Sequence, residues 1–182
     1  TVFTFDFFKN GGRVITFSDK EKILYDMGVK AIYSPSFSEI KNLSPDEFIE
    51  EILIKKMNAE KLFCGENFTF GKDRKGTAGY LKEKAETLGI ETVIVPTIKQ
   101  DGKEISSTFM KTLLKEGRIK ELNEISEREY SFKLKIEEGR KLGREMGFKT
   151  INQRLPKDLC EIKKGVYAVR VKIADELYKG VC

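Results

Sequence analysis

The chain has 182 residues, enough for one complete core or for one core and part of a second, since single domains commonly contain about 100 to 200 residues. Hydrophobic residues make up 40% and charged residues 35% of the chain, a balance that excludes a disordered protein. The formal net charge of +5 suits phosphate-bearing small molecules but excludes the strongly basic signature of nucleic-acid binding, and most lysines are expected to lie on a solvated face. No apolar run reaches the roughly 20 residues that cross a bilayer, so we expect a soluble protein without a membrane partner.

Cysteine usage indicates the compartment. The three cysteines, Cys64, Cys160 and Cys182, lie far apart, form no C-x-x-C pair and have no histidine partner in a chain without histidine. This pattern argues against both a disulfide framework and a zinc site, and it fits a reducing cytoplasm. The sequence opens without Met and stops at Cys182, in each case inside a strand-like run, so we expect a fragment cut within structure at both ends.

The first half of the sequence alternates strand-like and helical patterns. We predict strands at residues 1–5, 29–33, 61–64 and 91–95, with helices between them, the order of βαβ units and a parallel sheet. Two helix starts place a hydroxyl N-cap three residues before a glutamate, at Ser18 and at Ser44, and Pro45 strengthens the second. A third helix is predicted over 77–88, ending before Gly89.

After Ile125 the periodicity changes to strict alternation. Apolar side chains alternate with polar ones from Tyr130 to Ile136 and again from Tyr167 to Ile173. This pattern favours antiparallel strands with one wet face, such as those of a small barrel. We place a domain boundary near Ser126, which gives units at 1–125 and 126–182.

Two segments of the first unit have the composition of a ligand site. Residues 65–76 follow a predicted parallel strand, and there Asn67 offers hydrogen bonds while Phe68 and Phe70 offer ring faces; the alternative is a glycine-rich turn with core phenylalanines. The second segment, Ile105-Ser-Ser-Thr-Phe-Met-Lys111, opens a helix with hydroxyls and a cation, which suits a triphosphate or serves only as a helix cap.

The second unit contains a glycine-rich cationic segment. It reads Gly139-Arg-Lys-Leu-Gly-Arg-Glu-Met-Gly147 and is either a loop that approaches phosphate or a hairpin between strands. Thr150 and Asn152 follow two residues apart, so in an extended segment both point the same way and can add oxygen ligands to a magnesium ion that grips ATP.

Seven short motifs follow one another in order along nearly the whole chain. They are the Thr4-Phe5 strand, a helix start with Lys22, Leu43-Ser-Pro-Asp-Glu-Phe-Ile49, Gly65-Glu-Asn-Phe68, Phe70-Gly71, Ile105-Ser-Ser-Thr108 and Gly143-Arg-Glu-Met-Gly-Phe-Lys-Thr-Ile-Asn152. Together they resemble the bacterial bifunctional riboflavin kinase/FMN adenylyltransferase (FAD synthetase) family, and the collinear set is far more specific than any one motif. The resemblance implies an α/β fold: a Rossmann-like nucleotidyltransferase domain with a parallel sheet (1–125, N-terminal part missing), then a partial antiparallel riboflavin kinase β-barrel (126–182, C-terminal part missing).

The resemblance also implies an activity and a set of binding residues. Members phosphorylate riboflavin to FMN and adenylylate FMN to FAD, with ATP, riboflavin and FMN as substrates and Mg²⁺ as cofactor. The adenylyltransferase ATP/FMN site would use Asn67, Phe68, Ser106, Ser107, Thr108 and Lys111. The kinase ATP/flavin site would use Gly139, Lys141, Gly143, Thr150 and Asn152, with Thr150 and Asn152 on the metal.

The chain departs from the family pattern at several positions. Lys111 stands where the family usually has Arg, and Lys149 and Ile151 replace Pro and Ala of its P-T-A-N motif. The family's G-x-F-D-G-x-H-x-G-H segment would precede Thr1, and Phe7-Phe8-Lys9 stands where Pro-His-Pro is usual. We therefore expect the catalytic residues outside the chain. The alternative is a catalytically reduced flavin- or nucleotide-binding regulatory paralogue.

Overall fold

Short strands and helices alternate through the first two thirds of the chain. The computed structural model describes residues 1–4, 12–139, 147 and 150–182. Its strands in this part are β1 (Val2–Phe3), β2 (Ile32–Tyr33), β3 (Lys61–Gly65), β4 (Thr69–Phe70), β5 (Gly76–Thr77), β6 (Glu91–Val95), β7 (Lys99–Gln100) and β8 (Lys103–Glu104). Its helices are α1 (Phe17–Asp26), α2 (Phe37–Ile40), α3 (Pro45–Glu47), which continues as a π-helical segment (Phe48–Lys56), α4 (Ala78–Thr87), α5 (Ser107–Glu116) and α6 (Ile119–Ser126).

Two pairs of parallel strands organise this region. Strand β1 pairs with β2, and β3 pairs with β6 in a register that sets Lys61 opposite Glu91 and Gly65 opposite Val95. Hairpins β4–β5 and β7–β8 are antiparallel. The strands predicted at 61–64 and 91–95 are confirmed, and those predicted at 1–5 and 29–33 are present as the shorter β1 and β2. The chain therefore has the mixed α/β architecture with parallel strand pairs that its sequence indicated.

One of the two predicted helix starts is confirmed and the other is wrong. At Ser44 a capping box forms: the Glu47 amide donates to Ser44 Oγ at 3.2 Å, and the Ser44 amide donates to Glu47 Oε2 at 2.7 Å. Helix α1 is instead capped by Thr16, whose Oγ1 accepts from the Asp19 amide at 3.1 Å. Thr16 offers the same hydroxyl-to-acid spacing two residues earlier, so Ser18 lies inside the helix.

The first of two core clusters lies against β1, β2 and β3. Four buried side chains of the π-helical segment form its centre, and their three- and four-residue spacing in the sequence is that of one apolar stripe: Phe48, Ile49, Ile52 and Leu53. Ile40, Phe70 and Leu81 complete the buried set. Half-buried strand residues such as Phe3, Tyr33 and Leu62 pack on it, so a single cluster joins the two parallel strand pairs.

The second core cluster joins α5 and α6 to later parts of the chain. Leu113, Leu114 and Leu122 are each at most 1% exposed and pack with Cys160. The half-buried Tyr130 lies against them, and burial raises the pKa of its phenol to about 12. All three cysteines are free thiols.

The described residues of the second half contain four strands in two separate antiparallel pairs. Strand β9 (Ile136–Glu137) pairs with β10 (Asn152–Gln153), and β11 (Ala168–Ile173) pairs with β12 (Glu176–Val181). The strand predicted over 167–173 is confirmed as β11. These pairs do not close a barrel within the described residues. No helix in the described part of the chain is both long and apolar enough to span a membrane.

The strand predicted over 130–136 is wrong for most of its length. Only its last residue, Ile136, belongs to a strand. The alternation itself is real, since Tyr130, Phe132 and Leu134 are half-buried while the residues between them are exposed. Tyr130 packs on the second core cluster, so it is half-buried although no strand within the described ranges pairs with residues 130–135.

A leucine pair tests the position of the second core cluster. Leu114→Ala is expected to lower the free energy of unfolding by about 2–5 kcal/mol, because the side chain is completely buried and its removal leaves a cavity. Leu177→Ala, in an exposed strand position, is expected to cost less than about 1 kcal/mol. Urea denaturation followed by circular dichroism measures both, and equal losses would contradict the assignment of this core.

Candidate functional site

The 65–77 loop leaves the carboxyl end of β3 and returns to the start of α4. Its two phenylalanines stack nearly parallel, with ring centroids 5.4 Å apart and an interplanar angle of 17°. Phe70 is buried and lies 5.1 Å from Phe48, so for this residue the core alternative is confirmed. Phe68 is only half-buried, and Phe70 supports its ring from below. A planar ligand can therefore reach Phe68 but not Phe70.

Asn67 connects this loop to the end of β6. Its amide Nδ2 donates to Thr97 Oγ1 at 3.2 Å, which leaves the amide oxygen for another donor or a metal-bound water. The neighbouring Glu66 accepts from the Thr97 amide at 3.0 Å, and its hydrogen bonds to Thr97 hold the pKa of its carboxyl below the ordinary value. Both side chains therefore bond the loop to Thr97, which follows β6.

The predicted hydroxyl-rich segment forms the start of α5. Ser106 is the N-cap, and its Oγ accepts from the Phe109 amide at 3.2 Å, so the cap alternative is confirmed for this serine. Ser107 and Thr108 are exposed in the first turn, where backbone N–H groups lack helical partners. That end of a helix attracts anions. A phosphate group would therefore meet Ser107 and Thr108 while Ser106 completes the helix.

The two candidate segments meet at one edge of the parallel pair. The amide of Ile105 donates to the carbonyl of Ile98 at 2.9 Å. Ile98 follows Thr97, the partner of Asn67, and Ile105 precedes Ser106. The hydrogen bonds thus connect both candidate segments to Thr97 and Ile98, at the edge of the sheet where β6 ends. This is the carboxyl edge of β3 and β6, where open α/β sheets bind ligands.

Two lysines accompany this helix start. Lys111 is half-buried one turn into α5, and its carbonyl accepts a weak hydrogen bond from the Cys160 thiol at 3.8 Å. Lys103, which sequence reasoning missed, places its ammonium 5.5 Å from the centroid of the Phe109 ring. Its position in hairpin β7–β8, just before the serines, is the signal that could have identified it.

In the second half, the structure brings Gly139 and Asn152 together. Strand pairing sets Asn152 opposite Glu137, two residues before Gly139. A Cβ atom on Gly139 would overlap the side-chain amide nitrogen of Asn152 and lie 2.9 Å from its Cγ. The Asn152 side chain therefore occupies the space that a Cβ atom at position 139 would take.

The structure describes only some of the remaining predicted residues of this segment. Thr150 is exposed, as is Asn152, so both can reach a ligand. Lys141, Gly143, Lys149 and the Phe7-Phe8-Lys9 segment lie outside the described residues. The described residues contain no group of three or more His, Cys, Asp or Glu side chains that could hold a metal ion.

Family comparison follows the same division of the chain. The family model described as FAD synthetase matches residues 4–109, and the model described as riboflavin kinase matches residues 126–182. The chain belongs to the FAD synthetase family. The resemblance that the seven motifs carried is thereby confirmed.

Individual relatives agree. The bifunctional riboflavin kinase/FMN adenylyltransferase of Bacillus subtilis is 32% identical over 165 residues, which cover 90% of this chain and 52% of that protein. The protein of the same name from Buchnera aphidicola subsp. Schizaphis graminum is 30% identical over 173 residues, or 93% of this chain and 55% of that protein. The chain thus spans about half the length of these relatives.

A solved structure has the same fold. A crystal structure described as a macrolide-efflux protein from Streptococcus pneumoniae superimposes with a TM-score of 0.83 at 28% sequence identity. The match covers 99% of this chain and 61% of that one.

Two neighbouring serines test the assignment at the start of α5. Ser106→Ala removes the cap and is expected to lower the free energy of unfolding by about 1 kcal/mol. Ser107→Ala is exposed and makes no such bond, so its effect is expected within about 0.5 kcal/mol. Chemical denaturation of both variants decides the matter. A greater loss in Ser107→Ala would show that the cap is misassigned.

Proposed function

We propose that the full-length protein carrying this chain uses ATP to phosphorylate riboflavin to FMN and then to adenylylate FMN to FAD. The supporting observation is that models of both enzymes match the chain in consecutive, non-overlapping segments. We further propose that β1, β2, β3 and β6 belong to a Rossmann-like nucleotidyltransferase sheet at 1–125. Strands β9 to β12 would then belong to the antiparallel kinase barrel at 126–182, in a cytoplasmic enzyme.

The adenylyltransferase site of this proposal lies at the carboxyl edge of β3 and β6. Asn67 and Phe68 would contact FMN, with the isoalloxazine ring on the accessible face of Phe68. Ser107 and Thr108 would bind ATP phosphates through hydroxyls and free amides, with Ser106 holding the helix start. Lys111 would neutralise phosphate as a point charge, without the two-pronged contact of a guanidinium.

The kinase site would involve Gly139, Lys141, Gly143, Thr150 and Asn152. Mg²⁺ commonly binds one or two protein oxygens together with substrate phosphates. The exposed hydroxyl of Thr150 and amide oxygen of Asn152 fit this need, because the Asn152 amide nitrogen, rather than its oxygen, is the atom closest to Gly139. When bound, the metal would neutralise phosphate charge, while Gly139 keeps Asn152 in place.

Both proposed reactions depend mainly on positioning and on charge neutralisation. Phosphoryl and adenylyl transfer need phosphates held in line, and the chain supplies a helix start, hydroxyls, lysines and a glycine that permits close approach. No general base is assigned among these residues.

Direct assay of the full-length protein tests the proposed function. Incubation with riboflavin, ATP and Mg²⁺ is expected to yield FMN and FAD, separated by liquid chromatography and detected by flavin fluorescence. Binding of FMN without formation of either product by intact protein would favour the regulatory paralogue. That alternative is motivated by the absence of histidine from this chain, together with Lys111 and Lys149 at positions where the family has other residues.

Two single substitutions are expected to separate the activities. Asn67→Ala should lower FAD formation from FMN at least about tenfold while leaving FMN formation within about twofold, because Asn67 belongs to the first unit. Asn152→Ala should lower FMN formation from riboflavin at least about tenfold, because it removes a proposed metal ligand. FAD formation from supplied FMN should then stay within about twofold. Initial rates of each half-reaction measure both effects, and parallel loss of both activities in either variant would contradict the division.

A further inference from the structure

A group of residues that makes none of the proposed ligand contacts holds the 65–77 loop in position. We define this brace as Leu43, Pro45 and Asp46, before and within α3, together with Tyr80 and Lys84 of α4. We propose that the brace positions the loop for FMN, which makes Gly71, Asp46 and Tyr80 positioning residues of the adenylyltransferase site. This inference rests on the proposed function.

The first contact joins the middle of the loop to the start of α3. The Lys72 amide donates to the Leu43 carbonyl at 2.6 Å. Gly71 has φ 71° and ψ 172°, a conformation that is essentially restricted to glycine. A Cβ atom on Gly71 would lie 2.9 Å from the Pro45 backbone nitrogen. Proline cannot yield there, because its ring fixes φ and the Ser44 capping box fixes the turn before it.

The second contact joins α3 to α4 through Asp46. The Tyr80 hydroxyl donates to Asp46 Oδ1 at 2.6 Å, and the Lys84 ammonium lies 3.4 Å from the same oxygen. The same ammonium lies 5.7 Å from the centroid of the Tyr80 ring. The hydrogen bond from Tyr80, then the charge of Lys84, hold the pKa of Asp46 below its usual value, while the bond to Asp46 raises the pKa of Tyr80. At neutral pH the acceptor is therefore charged and the donor protonated.

The third contact closes the loop at its far end. Thr77 caps α4, and its Oγ1 accepts from the Tyr80 amide at 3.2 Å. Tyr80 therefore bonds to Thr77, the last residue of the loop, through its backbone amide and to Asp46 through its side-chain hydroxyl. Strand β5 pairs with β4, which sets Gly76 opposite Phe70, and a Cβ atom on Gly76 would lie 2.7 Å from the Phe70 ring.

These three contacts support the part of the loop that contains Phe70, whose ring stacks on that of Phe68. Phe70 lies between the Phe48 ring at 5.1 Å and the Phe68 ring at 5.4 Å. A shift of Gly71 away from Pro45 must move the adjacent Phe70 and with it the surface on which Phe68 rests. Within the described residues no side-chain hydrogen bond or ion pair joins the brace to Phe68 or Asn67, so we expect it to act on FMN through the placement of the loop.

Substitutions in the brace, or at Gly71 where the loop passes over it, should change the KM for FMN rather than kcat. In the full-length protein, Gly71→Ala is expected to raise KM for FMN about 10- to 100-fold, because misplacement of a contact by about 1 Å has effects of this size. Tyr80→Phe and Asp46→Asn should each raise it about 3- to 10-fold, since each removes one hydrogen bond. The value of kcat is expected to stay within about twofold, the signature of lost binding that is equal in ground and transition states.

Matched controls separate placement from general damage. Gly28 also has a positive φ, of 87°, but an added Cβ atom there would have no neighbour within 4 Å, so Gly28→Ala should leave the KM for FMN unchanged. Tyr25→Phe alters an exposed tyrosine of α1 with the same expectation. The double variant of Asp46→Asn and Tyr80→Phe should be no worse than the weaker-binding single variant, because both remove the same bond.

Riboflavin kinase activity and hydrogen exchange complete the experiment. Unchanged KM for FMN in folded Gly71→Ala protein, or a parallel fall in kinase activity, overturns the inference. If the unsubstituted protein forms no FAD, the proposed function fails instead, and the brace is then judged by amide exchange of residues 68–72. Faster exchange in Gly71→Ala and Tyr80→Phe than in their controls supports the brace, and equal exchange overturns it.

Discussion

The parallel register of β3 and β6 determines where the first half of the chain can bind a ligand. Because Gly65 lies opposite Val95, the loop after one strand and the extension after the other begin at the same level. Glu66 and Asn67 then bond to Thr97, and Ile98 bonds to Ile105. Displacement of one strand by a residue would break the bonds of Glu66 and Asn67 to Thr97 and so separate Asn67 from the segment that leads to α5. The candidate site thus depends on strand pairing more than on any single polar residue.

Glycine allows a close approach in both halves, although the neighbours differ. Gly71 permits the loop to pass over the rigid backbone of Pro45, whereas Gly139 meets only the exposed side chain of Asn152. Gly71 therefore constrains the geometry of its loop without touching a ligand.

Local rules predicted much of the fold, and tertiary packing decided the rest. The Ser44 capping box and the apolar stripe after it were predictable because the signals lie within one turn of helix. Ser18 failed because Thr16 presents an equivalent signal two residues away, and propensity cannot choose between them. The alternation from Tyr130 failed as a strand prediction because alternate burial requires a core on one side, whereas a strand also requires a partner.

The candidate site was predictable in composition but not in the division of roles. Sequence reasoning placed Asn67 and the three hydroxyl residues from Ser106 correctly at strand and helix ends. It could not show that Ser106 caps the helix while Ser107 stays exposed, or that Phe70 is core while Phe68 is accessible. Those distinctions depend on which neighbour each side chain meets, and for Phe70 that neighbour, Phe48, is 22 positions away in the sequence.

The start of α5 and its buried side have different surroundings. Ser107 and Thr108 are exposed, whereas Leu113 and Leu114 pack with Cys160, which lies beyond the proposed boundary at Ser126. The Cys160 thiol also reaches the carbonyl of Lys111, within the same helix. Because a ten-residue helix moves as a rigid body, anchoring its core face by second-unit residues fixes the orientation of its phosphate-facing end. The second core cluster therefore crosses the boundary that we propose at Ser126, and the orientation of the candidate helix start depends in part on residues that follow this boundary.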